Sequence, residues 1–212
     1  MKAFLSEFLG TFALVFFGTG AIVVSEEWTN VISNFGISAA FGTIVCVMIY
    51  VLGSYSGAHF NPVVTLGFAL SKRFPVKNIA PYIGFQFAGG IVASLLLWFL
   101  FPENELLGST LPKDSASQSF VIEVILTFFL VFVILIISEE THTHNKFAGI
   151  IIGLTVFLDA LVGGPISGAS MNPARSFAPA LISGNFTHLW IYFSAPVLGA
   201  VFSVLTFRVF KK

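Results

Sequence analysis

Charge is scarce in this chain. Ten residues are Lys or Arg and ten are Asp or Glu among 212, so 9% are charged and the formal net charge is zero. Ordinary soluble domains carry about 25% charged residues, and twenty charges cannot coat a soluble monomer of this length. The balanced charge leaves no basic footprint for nucleic acid. Cysteine is nearly absent: Cys46 stands alone, closes no internal disulfide, and leaves the redox compartment unreadable. His-Glu-x-x-His does not occur, and no Ser or Cys has a base at motif spacing, which argues against an intramembrane enzyme. A metal site needs three or four ligands, and His142 with His144 supply two. Neither a metal nor a cofactor is expected, and those two histidines read as solvated.

What is abundant is apolar: 56% of the chain, with 26 phenylalanines. Apolar runs fall at roughly 3–24, 34–54, 78–101, 118–138, 147–164 and 188–209. A span takes roughly 20 residues, so six take about 120 and leave no room for a soluble domain. The chain reads as an all-α membrane protein embedded in lipid as a single transmembrane domain. The first run has no small-residue cleavage site and reads as a retained span. Cys46, in the second run, reads as a small lipid- or helix-facing residue. Gly10, Gly18, Gly84, Gly89, Gly90, Gly153 and Gly199 suit close helix packing. Positive charge in short loops sets orientation. With the N-terminus inside, Lys2, Lys72, Arg73, Lys77, Lys146, Arg208, Lys211 and Lys212 are cytoplasmic, against Lys113 and Arg175 outside. Both termini are then cytoplasmic.

Two further segments, 55–71 and 165–183, are apolar, too short to cross and broken by Gly and Pro. Such segments read as re-entrant or interfacial. They also repeat. Ser56-Gly57-Ala58-His59-Phe60-Asn61-Pro62 aligns with Ser167-Gly168-Ala169-Ser170-Met171-Asn172-Pro173 at an offset of 111 (172 − 61). Glu7 in the first span matches Glu123 in the fourth at an offset of 116 (123 − 7), with Thr and two Phe matching beside it. Three spans separate the halves, so approximately 1–110 and 111–212 are inverted repeats, which place their site near the midplane at the repeat interface.

Asn is a strong N-cap and Pro suits the first helical turn. Asn61-Pro62 and Asn172-Pro173 therefore start two half-helices that meet N-terminus to N-terminus. Each N-terminus carries roughly half a positive charge, which repels cations and protons at mid-pore. If the Asn oxygens cap the helices, their NH2 groups are free to donate to a solute. Non-helical backbone at this depth is tolerated where it lines a watery cavity. The carbonyls of Gly57, Ala58, His59, Gly168, Ser170 and Met171 would then form an acceptor ladder.

With these motifs the chain resembles the aquaporin, or major intrinsic protein, family. The resemblance rests on Ser56 to Thr65, on Ser167 to Ser176, and on Glu7 and Glu123, and it covers essentially the whole chain. It implies six helices and two half-helices, the aquaporin fold. It also implies a homotetramer with one pore per subunit. Val63 departs from the family's usual Ala, whereas Ala174 keeps it. By resemblance, a narrow filter is built from Phe41, Ala160, Ala169 and Arg175. Arg175 would add a permanent charge and donors, with a structural salt bridge as the bland alternative. Water-selective members carry His where this chain has Ala160, so two alanines imply a wide filter. Ser176 and Ala180 depart from the glycerol channels, and Tyr192-Phe193 is closer to the nodulin-like branch.

The expected function is passive conduction of water and small uncharged solutes (glycerol, urea, ammonia or metalloid acids), excluding protons and ions. A water-restricted pore is the nearest alternative. A proton-coupled transporter, with Glu7, Glu123 and Asp159 as its relay, is the next. Intramembrane charges are costly and usually functional. Glu7 and Glu123 read as acceptors for the backbone of the re-entrant loops, or else as a proton path. Asp159 reads as a partner of Arg175, a vestibule or filter residue, or a helix-end residue. His59 narrows the pore, senses pH or simply fills the loop. The expected location is the cell membrane, the inner one if the source is bacterial.

Overall fold

The apolar runs fold as helices because a membrane leaves backbone groups no other partners than their own. The computed structural model describes residues 1–29, 31–139 and 145–210. Glu140, His142, His144, Lys211 and Lys212 lie outside the described residues. Six spans are α1 (Lys2–Glu27), α2 (Asn34–Ser56), α4 (Ile79–Leu100), α5 (Ala116–Ile137), α6 (Ala148–Ser167) and α8 (Leu189–Phe210). Two half-helices, α3 (Pro62–Leu70) and α7 (Pro173–Ser183), sit between them.

Local chemistry sets the helix ends. Ser33 accepts from Gly36 N at the start of α2, and Ser115 accepts from Gln118 N at the start of α5. Gly57 and Gly168 end α2 and α6 at φ 83° and 82°, a left-handed turn that glycine takes without strain. The second re-entrant stretch was expected from 165, but α6 continues through Pro165 to Ser167. A proline removes the N–H that would bond the carbonyl four residues back. Here that carbonyl, Leu161 O, accepts from the Asn34 side chain at 2.9 Å instead. The first span also departs from expectation. Leu14–Thr19 is a π-helical turn inside an otherwise α-helical α1.

Corresponding helices pack alike in the two halves. α1 packs on α4, α5 packs on α8, and α2 packs on α6 across the middle. The half-helices exchange sides, α3 against α8 and α7 against α4. The α2–α6 seam is a backbone contact: a Cβ added to Gly42 would lie 2.6 Å from Gly153 O, and one added to Gly153 would lie 2.6 Å from Gly42 O. Cys46 lines the groove beside this seam. Gly10 faces Phe60, Gly89 faces the Phe8 carbonyl, Gly90 faces Ala174 O and Gly199 faces Val124 O. Gly84 differs from the expected packing role, with open space around it.

Gly153→Val therefore forces apart two helices that touch through their backbones. The expected cost is about 1–3 kcal/mol of stability, the usual range for overpacking. Thermal unfolding in detergent should show a lowered midpoint for this variant and none for Gly84→Val.

Candidate functional site: a two-cavity pore at the meeting of the half-helices

The loops entering the half-helices share one backbone conformation. Gly57, Ala58 and Phe60 have φ of 83°, 54° and 51°, and Gly168, Ala169 and Met171 have 82°, 42° and 52°. A non-glycine residue in the left-handed region costs on the order of 1–3 kcal/mol and needs support from its surroundings. Two wholly buried carboxylates give that support. Glu7 Oε1 accepts from His59 N at 3.0 Å and Oε2 from Phe60 N at 2.7 Å. Glu123 Oε1 accepts from Ser170 N at 2.8 Å and Oε2 from Met171 N at 2.9 Å. Gln86 adds a bond to Glu7 and Ser167 adds one to Glu123, each at 2.7 Å. Neither carboxylate lines a cavity.

The loops are buttressed in parallel elsewhere. Ser56 Oγ accepts from Ala58 N, and Ser167 Oγ accepts from Ala169 N. Tyr82 donates to Ser56 O at 3.0 Å and Tyr192 to Ser167 O at 2.7 Å. His59 Nδ1 meets Thr65 Oγ1 at 3.1 Å, and the Ser170 and Ser176 hydroxyls meet at the equivalent place. Sequence reasoning missed the tyrosine pair and the Gln86 bond. The signal was present, since Tyr82 and Tyr192 stand 110 apart (192 − 82), almost the offset of the loops.

The half-helices meet N-terminus to N-terminus. Asn61 Oδ1 accepts from Val63 N at 3.0 Å, and Asn172 Oδ1 accepts from Ala174 N at 3.0 Å. Pro62 and Pro173 begin the helices. The side-chain amides are not wholly free. Asn61 Nδ2 donates to Met171 O at 2.8 Å and Asn172 Nδ2 to Phe60 O at 2.9 Å, so each keeps one N–H. The Met171 carbonyl, expected in the acceptor ladder, is thus taken by Asn61. No donor among the described residues meets the carbonyls of Gly57, Ala58, His59, Gly168 or Ser170.

Two cavities lie here in series, and the asparagine pair lines the first of them. The first, about 130 Å³, lies toward the α1 N-terminus and is lined by Gly57, Ala58, His59, Asn61, Ser170 and Asn172 among others. The second, about 550 Å³, lies toward the α1 C-terminus and reaches Gly168 and Lys113. They share four lining residues: Phe41, Ala160, Ala169 and Arg175. Arg175 is 1% exposed, and Nη1 donates to Gly108 O at 2.9 Å. Its Nε and Nη2 have no hydrogen-bond partner among the described residues. Its guanidinium lies 5.2 Å from the Phe41 ring centre.

Other expected residues fall away from the neck. Val63 is fully buried in the apolar core and lines neither cavity. Asp159 is buried in the interior of α6, lines neither cavity, and Oδ2 has no hydrogen-bond partner among the described residues. The one ion pair among the described residues joins Arg73 to Glu139, so Asp159 does not pair with Arg175. His59 lines the first cavity and also packs against Phe68, Phe74 and Tyr82.

The sequence profile of the major intrinsic protein family matches residues 1–207. The chain belongs to the major intrinsic protein family. It is 40% identical to nodulin-26 of Glycine max, over 100% of this chain and 78% of that protein. It is 41% identical to aquaporin NIP1-1 of Zea mays, over 100% of this chain and 75% of that one. The X-ray structure of the aquaglyceroporin of Plasmodium falciparum superposes with a TM-score of 0.88 at 26% identity, covering 97% of this chain and 94% of that one. This member of the family has the aquaporin fold and is a channel protein for water and small solutes, not an enzyme.

The carboxylates hold the loops of this family member through bonds to charged groups, worth about 1.5–3 kcal/mol each. Glu7→Gln or Glu123→Gln turns an N–H donor toward a loop N–H. Each variant should lose about that much stability and most water flux, measured by thermal unfolding and by vesicle shrinkage. Unchanged flux in both would deny the carboxylates this role.

Proposed function

We propose that the neck between the two cavities is a wide selectivity filter passing water and small uncharged solutes, with glycerol, urea and undissociated metalloid acids in its range. The observation that carries this reading is the set of four residues common to both cavities. Arg175 contributes two unpartnered donors and a permanent charge, and Phe41 contributes an apolar wall. Ala160 and Ala169 contribute almost no bulk, so the neck stays wide on their side. The likeness to an aquaglyceroporin supports the same reading.

Ion exclusion follows from charge. Arg175 stands at the neck, and beyond it two half-helix N-termini each carry roughly half a positive charge. A cation meets both after losing its hydration. Proton exclusion follows from hydrogen bonding. A water beside Asn61 and Asn172 accepts their remaining N–H groups through its oxygen. Its hydrogens then point along the pore to the free carbonyls, and no proton wire forms through it.

The domain is built from inverted repeats, approximately 1–110 and 111–212. The Lys and Arg bias supports cytoplasmic placement of both termini, with the larger cavity opening outward. The family resemblance supports a homotetramer in the cell membrane.

Stopped-flow light scattering on proteoliposomes tests the filter. An impermeant sugar should give fast shrinkage, and glycerol should give shrinkage followed by re-swelling. Ala160→His should keep the water response and slow re-swelling on the order of tenfold, because pore diameter and lining donors set selectivity. Shrinkage without re-swelling in the native protein would remove the wide filter. Water flux no faster than in protein-free vesicles would remove the open pore itself.

A further inference from the structure

The π-helical turn of α1, Leu14–Thr19, meets the first cavity at one point and the walls of the neck at two. Leu14 lines the first cavity. Gly18 lies flat against the Phe41 ring, and a Cβ added there would overlap ring atoms Cγ, Cδ1 and Cε1. Thr19 abuts Gly108: a Cβ on Gly108 would lie 2.6 Å from Thr19 Cγ2 and 3.0 Å from Thr19 O. Gly108 is the residue whose carbonyl accepts from Arg175. One turn of helix thus stands behind both the aromatic wall and the cationic wall of the constriction.

The other repeat has no such turn. Position 18 corresponds to Ile134 at the offset of 116 (134 − 18), and α5 is α-helical throughout Ala116–Ile137. Packing of the repeat therefore does not require a π-turn here. Such turns occur mostly as single insertions in α-helices, often at functional sites.

We infer that the π-turn of α1 is a positioning element that sets the width of the neck, with Gly18 the specificity-determining residue that seats the Phe41 ring. This rests on the filter reading proposed above. A methyl group at position 18 sits well inside the ~3.5 Å contact distance of carbon atoms, so the ring must move by about 1 Å. Behind the ring is α1, and in front of it is the neck with Arg175. The displaced ring moves into the neck and excludes larger solutes before it excludes water.

Glycerol and water permeabilities of proteoliposomes holding the full chain test this, with Gly18→Ala, Phe41→Ala and the double variant. Gly18→Ala should lower the glycerol-to-water ratio on the order of tenfold, since pore diameter sets selectivity. Phe41→Ala should raise the ratio, and adding Gly18→Ala to it should then change nothing. An unchanged ratio in Phe41→Ala overturns the filter reading itself. A raised ratio there with no effect of Gly18→Ala overturns only the seating role. If Gly18→Ala fails to insert in membranes, recovery of the double variant still identifies the ring as the group displaced. Failure of both shows that position 18 is needed for something other than Phe41 and overturns the proposal.

Discussion

The rest of this structure depends on satisfying non-helical backbone at membrane depth. No water in the hydrocarbon can take over an N–H or carbonyl that a helix has released. The chain meets this with two carboxylates that only accept. Glu7 and Glu123 each gather two successive loop N–H groups. An ionised acceptor gives bonds roughly twice as strong as neutral pairs, which offsets the left-handed conformations of Ala58, Phe60, Ala169 and Met171. Because a carboxylate cannot donate, it leaves the loop carbonyls uncontested. The groups that hold the loop and the groups that serve the cavity are thereby separated by chemistry as well as by position.

That separation fixes the half-helices. Once each loop is held, Asn61 and Asn172 stand where one side-chain oxygen caps their own helix. The amide nitrogen reaches the other loop, at Met171 O and Phe60 O. The two loops are thus tied to each other through the residues that start the helices. The cross-tie uses one N–H of each amide, and both asparagines line the first cavity. It also keeps two positive helix ends adjacent, a juxtaposition that would otherwise drive them apart. Val63, larger than the usual alanine, is absorbed by the apolar core and lines neither cavity.

Much of this was legible in the sequence because it is repeated there. Spans came from composition, and the half-helices came from Asn-Pro, a cap and first-turn pair with a physical meaning. Glu7 and Glu123 stood out as charges in apolar runs at matching places. The structure added what has no periodic or charge signal. Tyr82 and Gln86 read as ordinary span residues, since nothing in a sequence says which side of an apolar helix faces a loop. The π-turn at Leu14–Thr19 left no mark, because an inserted residue does not change an all-apolar pattern. The second N–H of each Asn was misjudged for a similar reason: the cross-tie joins residues 110 and 112 positions apart.

The repeat also shows where the two halves of the site differ. At the loop offset of 111, Phe41, Ala160, Ala169 and Arg175 correspond to Ile152, Ile49, Ala58 and Val64. All four counterparts line the first cavity, so both ends of the pore are shaped by equivalent positions. One end carries a guanidinium against an aromatic ring, and the other carries three aliphatic side chains and an alanine. These four side chains carry no charge and no hydrogen-bonding group, and the Ala58 carbonyl among them is free to accept. The cationic neck presents a charge and hydrogen-bond donors as well. The repeat thus builds equivalent positions around the asparagine pair, and the guanidinium and the aromatic ring stand at one set of them only.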